Sequence, residues 1–309
     1  MPRVSLAPEV GLLVVVVVWG INFAIIKLPL EVAPPFTVNL LRFLVSAAVL
    51  GTLHVRQART RGVSPLSTFD AGAGRVIGIG LLGILAYQAL FIVGIDRVSA
   101  GTGALLIASS PAWTAVTAHT LGHERLLPLG WIGTATSLIG VALVVAGNPG
   151  AAFEADGSGV VLMLGSALAW GLYTALSRPL MQRGASALGL TFWGIVVSAP
   201  GLLLLAAPQL PTVTWSAFGP AEIGAILFSG GLSTGLAYAI WNESVRTVGA
   251  SKTAAFSNLV PVVGVLAGIV LRGEQVTLLQ ILGGLLIVLG VVVVRRRGVA
   301  APAGVPAVT

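Results

Sequence analysis

The sequence predicts an all-α integral membrane protein of ten transmembrane helices, built as two inverted five-helix repeats with both termini in the cytoplasm. Three observations predict it. Of the 309 residues, 56% are hydrophobic and only 9% charged, and the mean hydropathy is +0.99, far more apolar than an average soluble domain. Apolar runs near the roughly 20 residues needed to span a bilayer occur ten times, between short loops rich in Pro, Gly and charge. Finally, motifs of the first half return about 150 positions later in the same order.

The first run, about 9–28, carries Trp19, Gly20 and Asn22 in mid-run and closes on Lys27. Arg3 before an apolar core resembles a signal peptide, but no convincing small-residue cleavage site follows, so the run reads as a retained helix. The second, 35–55, is led by prolines and holds Arg42 about seven residues in, roughly 10 Å deep at the helical rise. A charge that deep needs a reason; Glu31 or a substrate carboxylate is the expected partner. The third run, 75–95, contributes Tyr87 and Phe91, and the fourth, 101–120, places Pro111 in mid-helix, where it frees a carbonyl one turn earlier. Glu124 precedes the fifth run, 128–147, where its carboxylate can meet the N-terminal amides of the helix that follows.

The sixth run, 158–178, repeats the opening. Trp170-Gly171 answers Trp19-Gly20 and Arg178 answers Lys27, all 151 positions on. In the seventh, 187–207, Trp193 stands where the first half has Arg42. The eighth, 221–243, spaces Thr234, Tyr238 and Trp241 on one helical face. The ninth, 252–271, carries Pro261, and Glu274 precedes the tenth, 277–294. Pro111 pairs with Pro261, Glu124 with Glu274, Gly133 with Gly283 and Gly140 with Gly290, each 150 apart. Because each half has an odd number of spans, the second must enter the membrane from the opposite side, the inverted-repeat architecture in which one half rocks against the other around a midplane site. The expected units are 1–148 and 149–297, with 298–309 a disordered cytoplasmic tail.

Orientation follows from the loop cations. With the N-terminus inside, thirteen Lys and Arg face the cytoplasm and only Lys27, Arg97 and Arg272 face out. The net charge of +7 therefore belongs to the membrane surface, since no soluble domain presents a basic stripe to nucleic acid. The chain has no cysteine and three histidines, which excludes thiolate chemistry and leaves little for a metal cluster; no cofactor is implied. GLSTG (231–235) lies in a helical run and reads as a small-residue helix contact, as does GVLAG (264–268).

On their helices Trp19, Asn22 and Phe23 share a face, as do Trp170, Tyr173, Thr174 and Ser177. With Tyr87, Tyr238 and Trp241 they suit an amphipathic or aromatic metabolite. Trp131, Trp215 and Trp241 lie near helix ends, where an interfacial belt also explains them. Lys27 and Arg178 would stand one at each mouth of the cavity, or snorkel to the interface. Pro111 and Pro261 are bending points or static kinks. No acidic residue lies in mid-run, and His119 and Glu243 are the nearest candidates for proton coupling.

The order WG-x-NF-x₃-K, a proline-led helix with LRF, SSP (109–111) and HE (123–124), followed by NLVP (258–261), RGE (272–274) and GGLLIVLG, resembles the EamA-type members of the drug/metabolite transporter superfamily over roughly residues 9–295. The resemblance implies ten helices, a central cavity that includes Asn258 of the NLVP motif, and export or exchange of small metabolites, amino acids frequent among them. The expected partners are a small-molecule substrate and the lipid bilayer of a bacterial inner membrane. The oligomeric state is open and a monomer is compatible. An intramembrane enzyme or a non-transporting scaffold or receptor remain the alternatives; neither accounts for the repeat.

Overall fold

Helix boundaries follow from where the chain can and cannot donate a backbone hydrogen bond. Proline opens helices at Pro35 and Pro220, where the first-turn N–H has no partner to lose. Glycines in the left-handed region, Gly62 (φ 64°) and Gly273 (φ 66°), close them. The structure, a computed structural model, describes residues 8–121, 125–147, 157–247, 253, 256–257, 259–297 and 299–300. They form α1 (Pro8–Ile25), α2 (Lys27–Leu30), α3 (Pro35–Arg61), α4 (Ala73–Gly80), α5 (Tyr87–Arg97), α6 (Ala100–Ile107), α7 (Ser110–Thr120), α8 (Pro128–Ala146), α9 (Ser158–Gln182), α10 (Ala187–Ala206), α11 (Pro220–Leu227), α12 (Ala237–Thr247), α13 (Val260–Arg272) and α14 (Leu278–Arg297). Two π-helical segments, Leu81–Ala86 and Phe228–Leu236, join α4 to α5 and α11 to α12 into continuous rods.

Among the described residues, six helices are long and apolar enough to cross a membrane, and three shorter apolar helices accompany them. The protein is a helical multi-pass membrane protein. Among the described residues strand pairing is confined to a two-residue ladder in which β1 (Arg125–Leu126) meets β2 (Val299–Ala300) antiparallel. The stretch expected to be a disordered tail, 298–309, thus contains two paired residues; 298 and 301–309 lie outside the described residues.

The first run is part of the bundle. α1 packs on α12 and α13 and buries Leu12, Val15 and Val16. Neither Pro111 nor Pro261 sits in mid-helix, where the sequence places them. The fourth run breaks at Ala108–Ser109, so Pro111 falls in the first turn of α7, and Pro261 likewise in the first turn of α13. There its missing N–H has no intrahelical partner to lose. The Ser109 hydroxyl donates to the Leu106 carbonyl at 2.7 Å, satisfying one acceptor at the break.

Small residues set the closest helix approaches, as membrane helices require. A Cβ on Gly140 would meet the Gly283 carbonyl at 2.5 Å, and one on Gly290 the Gly133 carbonyl at 2.4 Å, so α8 and α14 touch backbone to backbone at two places. Gly20 faces Val263 of α13 and Gly171 faces Trp113 and Thr114 of α7, which explains why glycine follows each tryptophan of the repeated pair. Gly264 and Gly268 lie against Ala104 and Gly101 of α6.

Candidate functional site

A cavity lies at the centre of the bundle, lined from α1, α3, α5, α6, α7, α9, the second π segment, α12 and α13. The two π segments frame it. Their wider turns re-aim the side chains beside them, so Tyr87 and Gln88 follow one segment into the cavity, and Ser233 and Thr234 enter from the other.

One wall is aromatic. Trp19 meets Trp170 edge-on at 5.6 Å and Tyr238 at 5.7 Å; Trp170 lies 5.2 Å from both Tyr87 and Tyr238; Phe23, Phe91 and Tyr87 continue the surface. The Trp19 indole N–H donates to the Ser233 carbonyl at 3.0 Å, the partner an indole held away from water needs. Trp241, Tyr173 and Thr174 stand behind this wall and do not line the cavity. Trp241 packs 5.1 Å from Trp19 and is 3% exposed, which removes it from any interfacial belt, whereas Trp131 and Trp215 are 48% and 54% exposed. The Tyr173 hydroxyl accepts from the Asn242 amide at 3.0 Å, and the Thr174 hydroxyl donates to the Trp170 carbonyl.

The polar side of the cavity centres on Arg42, which is 1% exposed. Its guanidinium donates to Asn39 Oδ1 at 3.2 Å and Thr234 Oγ1 at 2.9 Å, while Nε has no hydrogen-bond partner. The expected partner Glu31 is engaged elsewhere, in an ion pair with Arg272. Gly230 makes the Thr234 contact possible, because a Cβ there would meet the Arg42 carbonyl at 2.5 Å. Gln88 donates from Nε2 to the Tyr238 hydroxyl at 2.9 Å. The Oδ1 of Asn22 and the Oε1 of Gln88 are buried without hydrogen-bond partners.

Neither flanking cation lines the cavity. The Lys27 ammonium turns to the Asp96 carbonyl at 3.4 Å, and Arg178 is exposed on α9. Pro111 and Pro261 do line it; Asn258 lies outside the described residues. His119 accepts from the Leu126 amide through Nδ1, and Glu243 pairs with Arg246, so both are used away from the cavity. Gln88 and Ser233 are lining residues that sequence reasoning passed over. The signal for Gln88 was present, an uncharged amide in mid-run like Asn22; Ser233 contributes a backbone carbonyl that no side-chain pattern reveals.

At one end of the bundle the elements are tied together. Glu274 accepts from the Ala100 and Gly101 amides at 2.6 and 2.8 Å, capping α6 rather than the helix that follows it. The Gly273 turn sends the carboxylate across the bundle. Gln280 donates to Thr102 at 3.0 Å, and Glu31–Arg272 and Lys27–Asp96 complete the cluster. Glu124, the partner of Glu274 in the repeat, lies outside the described residues.

The model of the EamA-like transporter family matches residues 7–146 and again 157–296. The chain is 28% identical to the uncharacterized transporter YyaM of Bacillus subtilis, covering 88% of each chain. It is 29% identical to a probable amino-acid metabolite efflux pump of Salmonella typhimurium, over 90% of this chain and 91% of that one. To a probable terminal-alkyne amino-acid exporter of Streptantibioticus cattleyicolor it is 27% identical over 93% of each. A solved crystal structure superposes with a TM-score of 0.67 at 20% identity, over 93% of this chain and 96% of the other, a likeness of fold.

Proposed function

Since the chain belongs to the EamA-like transporter family, we propose that it exports amino acids, aromatic or neutral, or closely related metabolites by alternating access. The proposed frame is ten spans in two inverted repeats with both termini cytoplasmic. The observation that carries this reading is that repeat-related residues meet in the cavity. Trp19 touches Trp170, and Gln88 donates to Tyr238, 150 positions away. Pro111 and Pro261 both face the same space. A site on the axis relating two inverted halves presents the same surroundings to either side, as alternating access needs. The two α8–α14 contacts also exchange under this relation, Gly140 with Gly290 and Gly283 with Gly133. The two matched segments of the family model begin 150 positions apart, which supports the same division. The cluster around Glu274 then closes the outer end.

The test is counterflow in liposomes. Labelled aromatic or neutral amino acid should accumulate in vesicles preloaded with the same compound, and Trp19→Ala should lower the rate at least ~10-fold, because it removes the ring that meets Trp170 and Tyr238 and orphans the Ser233 carbonyl. Absence of counterflow for every amino acid offered, with protein that remains monodisperse, would sink the assignment.

A further inference from the structure

Three buried side chains of the cavity carry atoms with no partner, and the three have complementary needs. Arg42, Asn22 and Gln88 are 1%, 4% and 2% exposed, and the unpaired atoms are Arg42 Nε, Asn22 Oδ1 and Gln88 Oε1. All three residues line the cavity, and no carboxylate is among the described lining residues to neutralise the guanidinium. Gln88 is tied to Tyr238, and Tyr87 and Tyr238 line the same cavity. A buried cation and two buried acceptors left in this state are costly unless a ligand supplies an anion and hydrogen-bond donors together.

We propose that Arg42, Asn22 and Gln88 form a headgroup site that selects a zwitterion. The ligand carboxylate accepts from the Arg42 guanidinium, and its ammonium donates to the two amide oxygens while resting against the aromatic wall, whose ring faces favour a cation. This rests on the amino-acid reading above and narrows it. The same cavity rejects three neighbouring chemistries. An amine without a carboxylate meets the Arg42 charge with nothing to offset it. A monocarboxylate without an amino group leaves both amide oxygens unpaired. A second acidic group on the cargo finds no further cation among the described lining residues.

The experiment uses the full-length protein in liposomes and matched probe sets for three side chains: alanine, leucine and phenylalanine, each with its deaminated acid and its decarboxylated amine. Each acid and amine is offered as competitor against counterflow of the amino acid. The expected result is that the amino acid competes at least ~10-fold better than either analogue, the difference expected when a buried hydrogen-bonding group loses its partner. Gln88→Leu should collapse the preference over the deaminated acid towards unity while flux of that acid persists. Arg42→Leu should remove competition by both carboxylate classes. Asn22→Leu repeats the Gln88 test in case that variant does not fold, and gel filtration of each variant identifies misfolding. Equal competition by an amino acid and its deaminated acid in the unmodified protein overturns the headgroup site and leaves the amino-acid reading standing. Failure of every amino acid to exchange overturns both.

Discussion

Gly283→Ala is expected to lower the apparent Tm of the detergent-solubilised protein by about 2–10 °C, although the change adds a single methyl group. The new Cβ would stand 2.6 Å from the Gly140 carbonyl oxygen and 2.7 Å from the Val144 nitrogen. Both are backbone atoms, so no rotamer change relieves the clash and α8 and α14 must separate. Overpacking of this kind costs about 1–3 kcal/mol. In a membrane the separated helices recover nothing from the hydrophobic effect, since lipid is as apolar as their partner. Gly78→Ala is the control: a Cβ there meets no atom within 4 Å, so the better helix propensity of alanine should leave Tm unchanged or slightly raised. Equal Tm values for the two variants would falsify the backbone contact between α8 and α14.

How far the sequence could be read is visible in a few residues. Trp19 and Trp170 stood out because an indole in mid-run must find a partner, and both line the cavity. Arg42 stood out by depth, but its partner did not. Glu31 lies near it in sequence, while Thr234 lies 192 positions away and reaches Arg42 only because Gly230 lets the second π segment approach α3. The chemistry of Glu274 was legible as a carboxylate seeking helix amides; which helix it caps is a matter of tertiary direction, set by the Gly273 turn. Lys27 and Arg178 were symmetric in sequence yet differ in surroundings, one held by the Asp96 carbonyl and the other exposed. The π segments left no trace in composition, because an extra residue in a helical turn changes hydrogen-bond register rather than residue type.

If the bundle works by the alternating access proposed above, Glu274→Ala should unlatch the end at which this carboxylate ties α6 down. Two charge-assisted hydrogen bonds, at 2.6 and 2.8 Å, hold α6 to the turn before α14. At about 1 kcal/mol each, discounted for partial exposure, their loss shifts the balance toward the open form by ~30-fold. The chain has no cysteine, so Ser233→Cys provides a cavity reporter without background. In sealed vesicles of known orientation, a membrane-impermeant thiol reagent on the Glu274 side should label that cysteine ~10-fold or more faster once Glu274 is alanine. Glu274→Gln should fall between, since one amide oxygen remains to accept. Labelling at an unchanged rate in Glu274→Ala would assign closure to other contacts.

The π segments also bear on ancestry. On the repeat reading, Leu81–Ala86 corresponds to 231–236, inside Phe228–Leu236. One insertion in a five-helix forebear, followed by duplication with inversion, accounts for both distortions; a five-helix relative without a π segment in its third helix would argue for two separate events. In such a forebear, two copies of one chain would have met face to face, and the position now divided between Gln88 and Tyr238 would have touched its own counterpart. The residue that corresponds to Arg42 in the second half is Trp193, which donates to the Pro65 carbonyl and does not line the cavity. On the repeat reading the charge is carried by one half alone, so a passage otherwise built from matching halves is polar along its length.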